Sequence, residues 1–424
     1  MKVYGTLQQV QTVVILLIVT LGVALLSRRL RLPYTLALVI VGLIIGFSPL
    51  LPDLHLSPDA VVFLFLPALL FEGAWNVEVE RLTADWLVIF LLAVPGLGLS
   101  LLIVAAFVHL GMGFSWLLAL LLGAMISPTD PVAVLTLLRQ LNISDRLRTI
   151  VEGESLFNDG AGAAAFQLVL GLLLASLSTT SVVHEISFWR LTLGTLWEMT
   201  GGFVLGMGMG IIVTRLLRLV EDHLIEITVT VSVAYGVYLL GVTLHTSGLL
   251  AVVGAGLVLG SYGRRTGMSE RARDVAHDIW EFIGYIANSL LFLLLGVQIG
   301  ESNLVHALEG IGWALAGVVI GRAGMIYTLL PLHDAFARWL NRKSTPEQPH
   351  RIPRPVPLPT RWRPILLLSG LRGALSIALV LSLPTALPQR GLLEGIVYGI
   401  VLITLLGQGI GLRVLLPHWE SREN

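Results

Sequence analysis

Glu154-Ser155-Leu156-Phe157-Asn158-Asp159-Gly160 places two carboxylates inside a stretch, residues 149–176, that is otherwise apolar enough to cross a membrane. A charged side chain at the centre of a spanning helix costs roughly 2.5 to 3.5 kcal/mol on insertion scales, so such groups usually face a watery cavity. Nearby, Ser127-Pro128-Thr129-Asp130-Pro131 puts a further carboxylate between two prolines in a second apolar stretch.

The rest of the chain has the same character. Of 424 residues, 55% are hydrophobic and 13% charged, with mean hydropathy +0.85. Too little polar surface exists to cover a water-soluble globule of this size, which makes the chain an all-α polytopic membrane protein. The formal net charge is zero, so nothing favours nucleic acid, and the chain contains no cysteine for disulfides, thiolate chemistry or iron–sulfur clusters.

Apolar runs long enough to cross about 30 Å of hydrocarbon recur about thirteen times. They fall near 8–27, 33–50, 57–74, 86–111, 114–139, 149–176, 190–216, 224–243, 247–262, 280–300, 307–331, 364–384 and 391–415. Every other loop is basic. Arg28, Arg29 and Arg31 follow the first span, Arg146 and Arg148 the fifth, Arg215 and Arg218 the seventh, and Arg264, Arg265, Arg271 and Arg273 the ninth. Short loops rich in arginine stay in the cytoplasm, which places the N-terminus outside and the C-terminus inside a cell (inner) membrane. The loop after the third span fits least well, because Glu78, Glu80 and Asp85 oppose a lone Arg81. Residues 333–363, with a run of arginines and Pro353-Arg354-Pro355-Val356-Pro357-Leu358-Pro359, read as a cytoplasmic linker whose arginines lie near anionic headgroups. Residues 417–424 read as a short cytoplasmic tail, and the first span as an uncleaved helix.

Within the sixth span Ser155 and Asp159 are four apart, as are Glu154 and Asn158, so two polar strips share one side of a helix. Entering near Thr149, that helix carries Asp159 about 15 Å deep at 1.5 Å per residue, close to the midplane. Pro128 and Pro131 each remove a backbone donor, so the fifth helix is expected to unwind around Thr129 and Asp130. Seven spans later Ser369-Gly370-Leu371-Arg372-Gly373-Ala374 permits a second break. That offset reverses direction across the membrane, as an inverted repeat requires, and points to two crossing unwound helices, spans 5 and 12. Asp130 would then balance the positive ends of the half-helices and Arg372 the negative ends. Arg322, in the eleventh span, needs an acid, and Glu154 of the sixth is assigned to it as a structural ion pair, since an unpaired buried charge is costly. Glu72 falls near the cytoplasmic end of the third span. It reads either as the acid of a cation-attracting funnel or as a snorkelling interfacial residue.

These residues resemble the NhaP/NHE-type monovalent cation:proton antiporters. The likeness is carried by Asn158-Asp159 in its string, Thr129-Asp130-Pro131, Phe71-Glu72-Gly73, Asn288-Ser289-Leu290-Leu291-Phe292-Leu293-Leu294-Leu295-Gly296 and Gly370-Leu371-Arg372-Gly373-Ala374, in order along nearly the whole chain. His245 to Ala251 is similar to the family's turn before the ninth span, where a structural role suits His245. The resemblance implies a homodimer in which each protomer has a transport core and an interface domain. Residues 1–84 and 188–303 form the interface domain, and 85–178, 304–332 and 364–416 form the core. It further implies that Asp159 is the main carboxylate for cation and proton. Thr129, Ser155 and Asp130 are then additional cation contacts or supports, with Asp159, Ser155 and Thr129 around transported Na+, and Asn158 orients the site. No cofactor is implied beyond the transported ions, and membrane lipid is the surrounding partner.

A carboxylate in a low-dielectric cavity that loses its proton must hold a cation instead. Competition for Asp159 therefore couples Na+ or Li+ flux to H+ flux, and asparagine at 158 leaves one exchangeable acid in the pair, which favours one-for-one electroneutral exchange. A K+/H+ antiporter of the same fold is the alternative. A cation channel suits the same acids less well, since it needs a continuous path. An enzyme is not expected, because Ser247 and His245 share one turn and no His-Glu-x-x-His metal motif occurs.

Overall fold

The computed structural model describes residues 2–30, 33–47, 61–130, 144–177, 188–220, 222–301, 304–342, 355–370 and 372–415. All regular structure among them is helical. With apolar side chains on every face, these helices bury one side against each other and leave the other to lipid. In chain order they are α1 (Lys2–Leu30), α2 (Tyr34–Gly46) and α3 (a π-turn Val61–Phe65 running into Leu66–Asn76). The short α4 (Val79–Ala84), α5 (Trp86–Met112), α6 (Trp116–Ile126) and α7 (Asp145–Leu177) follow. Next come α8 (Phe188–Leu217), α9 (His223–Thr243), α10 (Gly248–Val258), α11 (Glu270–Glu301) and α12 (Leu304–Arg342). The last are α13 (Trp362–Leu368), α14 (Ala374–Leu381) and α15 (Arg390–Leu415).

Seven described helices are long and apolar enough to cross a membrane, and α2, most of α3 and α6 are shorter apolar helices. Helices overlap the spans expected from sequence where residues are described, but α11 starts ten residues earlier than expected and α12 ends eleven later, the twelfth span is divided between α13 and α14, and the fifth is described only as far as Asp130. Several start on side-chain caps at turns: Ser115 accepts from the Leu118 amide, Asp222 from that of Leu224 and Ser247 from that of Leu250. Packing between α2 and α11 rests on glycines one turn apart on both helices. A Cβ on Gly42 or Gly46 would strike the α11 backbone, and one on Gly296 or Gly300 would strike α2. In a membrane, where no hydrophobic force drives helices together, such backbone approach supplies the contact.

One face gathers the charges. Arg146 grips Asp85 with Nε at 2.9 Å and Nη2 at 2.6 Å, Arg81 meets Asp145 at 2.9 Å, and Arg265 pairs with Glu80. The acids after the third span, which opposed the charge rule, thus lie on the same face as the arginines before the sixth span and after the ninth. Glu80 and Asp85 are partners of those arginines, and Glu78 of Arg81 in its own loop, rather than markers of the opposite side.

The expected linker starts too early. α12 continues to Arg342, and His333, Asp334 and Ala337 are buried on it. Asp334 accepts from the Leu358 amide at 2.9 Å and from Arg363 at 3.1 Å, while Arg146 donates to the Val356 carbonyl at 2.8 Å. Polarity at 333–342 therefore marks inward contacts that strap residues 355–363 to α12 and α7. Residues 343–354 lie outside the described residues.

Candidate ion site

α7 is 33 residues long and carries Asp159 fourteen residues from its start, about 20 Å along the axis at 1.5 Å per residue. Opposite it, α6 ends at Ile126 and residues 127–130 leave the helix, as expected for a segment in which Pro128 cannot donate. Asn158 ties the two together. Its Nδ2 donates to Thr129 Oγ1 at 2.8 Å and its Oδ1 accepts the Thr129 amide at 3.4 Å. An amide side chain does both and leaves the Thr129 hydroxyl proton for another acceptor, whereas a carboxylate at 158 would take that proton itself. Thr129 Oγ1 also lies 3.3 Å from Ser155 Oγ.

The second break meets the first. α13 stops at Leu368 and α14 begins at Ala374. The Ala374 amide, at the positive N-terminal end of α14, points at Asp130 Oδ2 at 3.4 Å. Arg372 Nε donates to the Ile126 carbonyl, at the negative end of α6, at 2.6 Å, and its Nη1 donates to the Gly370 carbonyl. Pro131 to Ile143 lie outside the described residues, and with them the far half of the expected crossing of spans 5 and 12. A Cβ on Gly373 would overlap the Asp130 carboxylate. Overpacking a close-fitted site costs about 1 to 3 kcal/mol. Gly373→Ala is accordingly expected to slow ion movement in proteoliposomes about tenfold or more, while Gly98→Ala, which meets open space, leaves the rate unchanged.

Asp159, Asp130, Thr129, Ser155 and Glu72 share one cavity of about 460 Å³. Its mouth is lined by Glu78, Arg81, Arg148 and Glu152, on the arginine-bearing face. Six carboxylates line it against two arginines, and those arginines are themselves within 4 Å of Glu78, Asp145 or Glu152. Glu72, held by Asn76 at 2.7 Å, is part of this wall. Such a surplus of one sign between low-dielectric walls concentrates cations.

Glu154 and Arg322 lie outside the cavity. They form a buried ion pair, and Arg322 reaches further, with Nε and Nη2 donating to the Leu366 carbonyl at 3.1 and 2.8 Å and Nη2 to Ser369 Oγ at 3.2 Å. It therefore sits on the negative end of α13 as Arg372 sits on that of α6. Sequence reading missed this second duty, and also missed that Tyr34, Ser289 and Ser376 line the cavity. The available signals were a polar residue at a helix start for Tyr34, one just past a break for Ser376, and, for Ser289, its place in the family string at 288–296. His245 has φ of 54° in the turn between α9 and α10, a backbone role.

A family described as "Sodium/hydrogen exchanger, transmembrane" matches residues 13–418. The chain is 34% identical over 404 residues to the low-affinity Na+/H+ antiporter NhaS1 of Synechocystis sp., covering 93% of this chain and 72% of that one. It is 35% identical over 416 residues to the Na+/H+ antiporter ApNhaP of Aphanothece halophytica, covering 96% and 74%. The sodium proton antiporter MjNhaP1 from Methanocaldococcus jannaschii shares the fold, with a TM-score of 0.68 at 17% identity over 95% of this chain and 96% of that one.

Proposed function

This chain belongs to the sodium/hydrogen exchanger family, and on that premise we propose that it exchanges Na+ or Li+ for H+ across a membrane, one for one, with both ions competing for Asp159. The observation that carries the reading is a pair of aspartates, Asp159 and Asp130, set among neutral oxygens in a cavity that runs to one charged face of a helical membrane protein.

Each residue then has a task. Asp159, on the cavity wall, takes either the proton or the cation. Ser155 and Thr129 supply neutral oxygens to Na+, and Asn158 fixes Thr129 from behind. Asp130 stays ionised against the α14 N-terminus, where a negative charge is stabilised by the helix end. Arg372 and the Glu154–Arg322 pair hold the carbonyl ends of α6 and α13. Glu72 draws cations inward from the arginine-bearing face, which the charge rule makes cytoplasmic.

The cavity lies between residues 128–130, α7 and α14 on one side and α2, α3 and α11 on the other. That placement supports a core, 85–178 with 304–332 and the last spans, moving against an interface domain and carrying the site between the two faces. We include the homodimer implied by the sequence resemblance in this proposal.

The test is a pH dye in proteoliposomes holding an acid-inside gradient. Added Na+ or Li+ is expected to drive protons out, and clamping the membrane potential with valinomycin and balanced K+ is expected to leave the rate unchanged. No cation-driven proton movement would remove the exchange reading, and a rate that follows the clamped potential would remove the one-for-one cycle.

A further inference from the structure

Ser376 stands in the first turn of α14, two residues past the amide that meets Asp130. It lines the same cavity as Asp159, Asp130, Thr129 and Ser155. The residue is 1% exposed, and among the described residues its hydroxyl has no hydrogen-bond partner. Leaving a buried hydroxyl unsatisfied costs about 1 to 3 kcal/mol, and a serine in a helix normally avoids this by donating to a carbonyl one turn earlier. Ser382 and Ser369 do so, at 2.7 and 2.8 Å. For Ser376 the preceding turn is the break itself, with Gly373 at φ −142° and ψ −144°. The Gly373 carbonyl, three residues back, accepts the Ile377 amide at 3.4 Å instead, and the Ser376 hydroxyl is left without a bond to it.

Resting on the exchange reading above, we propose that the Ser376 hydroxyl is a further contact for the transported alkali cation, a neutral oxygen donor supplied by the second broken span. Hard cations shed water only where oxygen ligands replace it. The first break and α7 offer Thr129, Ser155 and Asp159, all from one side of the sequence repeat. A hydroxyl from α14 completes the shell without adding charge. It leaves the count of exchangeable protons at one and acts on the cation alone, since a proton on Asp159 needs no such shell.

The experiment measures Na+ and Li+ dependence of proton movement by the purified full chain in proteoliposomes at fixed pH. Parent, Ser376→Ala and Ser100→Ala are compared. Ser100 also has a buried hydroxyl with no partner among the described residues, but it lies on α5 against Gly321, and so reports the effect of deleting such a group away from the cavity. Ser376→Ala is expected to raise the apparent KM for Na+ about five- to tenfold, the loss of one neutral contact. Its maximal rate stays within about twofold of the parent, and the ratio of the Li+ and Na+ KM values changes. Ser100→Ala matches the parent. Unchanged KM values and ratio in Ser376→Ala, or an equal change in Ser100→Ala, overturn the inference. If Ser376→Ala yields too little folded protein, the near-isosteric Ser376→Cys decides, because a thiol is a poor ligand for a hard cation; a parental KM there overturns it as well. An inactive parent would instead sink the exchange reading on which this inference rests.

Discussion

Asp159→Asn is expected to reduce Na+- and Li+-driven proton movement to the level of liposomes without protein, while leaving the amount of folded protein and its thermal midpoint in detergent close to those of the parent. The two halves of this expectation come from different bonds. Asparagine has the size and shape of aspartate but neither takes up a proton near neutral pH nor carries the charge that makes a dehydrated cation affordable in a cavity of low dielectric. With no exchangeable group on α7, neither ion has a reason to leave when the other arrives, and coupling is lost rather than weakened. Stability is a separate matter. The hydrogen bonds that hold α7 to residues 127–130 run through Asn158 and Ser155 to Thr129; the Asp159 carboxylate is left to the cavity. A variant that keeps the parental exchange rate would take Asp159 out of the mechanism and leave Asp130 or Glu72 as the carrier. A variant that fails to fold would show that the carboxylate is structural.

The legibility of this molecule in its sequence follows the cost of burying charge. The helical membrane class needed nothing more than composition, and the strips Ser155/Asp159 and Glu154/Asn158 needed only the helical period, because charged groups in apolar runs are too expensive to occur without a purpose. The break at Gly370 to Gly373 was legible for a similar reason: two glycines flank a buried cation, and the ends of the half-helices need a counter-charge. What the sequence hid were matters of three-dimensional adjacency between polar groups that look ordinary in one dimension. Asp85 and Arg146, at the start of α7, are 61 residues apart in sequence, so the acidic loop looked like an exception to the charge rule until the two were seen paired. His333 and Asp334 looked like the start of a solvated linker because the partners of Asp334, Leu358 and Arg363, follow 24 and 29 residues later. Glycine pairs on α2 and α11 carried a packing signal, Gly42-x-x-x-Gly46 and Gly296-x-x-x-Gly300, that is legible in principle but names no partner helix.

Removing Arg322 is expected to destabilise the protein more than removing the charge of Glu154, although both break the same buried ion pair. Arg322→Met leaves the Glu154 carboxylate buried without its cation and also strips the Leu366 carbonyl and Ser369 of their donor at the negative end of α13. Breaking a buried pair in this way costs about 3 to 5 kcal/mol, enough to consume a large part of the stability of an ordinary domain. Glu154→Gln leaves Arg322 with its three donations to α13 and keeps an amide oxygen in hydrogen-bonding reach, so its cost is nearer the 1 to 3 kcal/mol of an impaired buried hydrogen bond. The double variant separates the causes. Without a bare carboxylate, Glu154→Gln with Arg322→Met should recover part of the loss seen in Arg322→Met alone, and the remainder measures what the guanidinium does for the end of α13. Thermal midpoints and the folded fraction on size-exclusion chromatography in one detergent check all three. If Glu154→Gln proves as damaging as Arg322→Met, the carbonyl end of α13 does not depend on Arg322, and the ion pair alone accounts for the position of that arginine. If instead the double variant is no better than Arg322→Met, the stranded carboxylate is harmless, and Arg322 is present to hold the broken twelfth span in place.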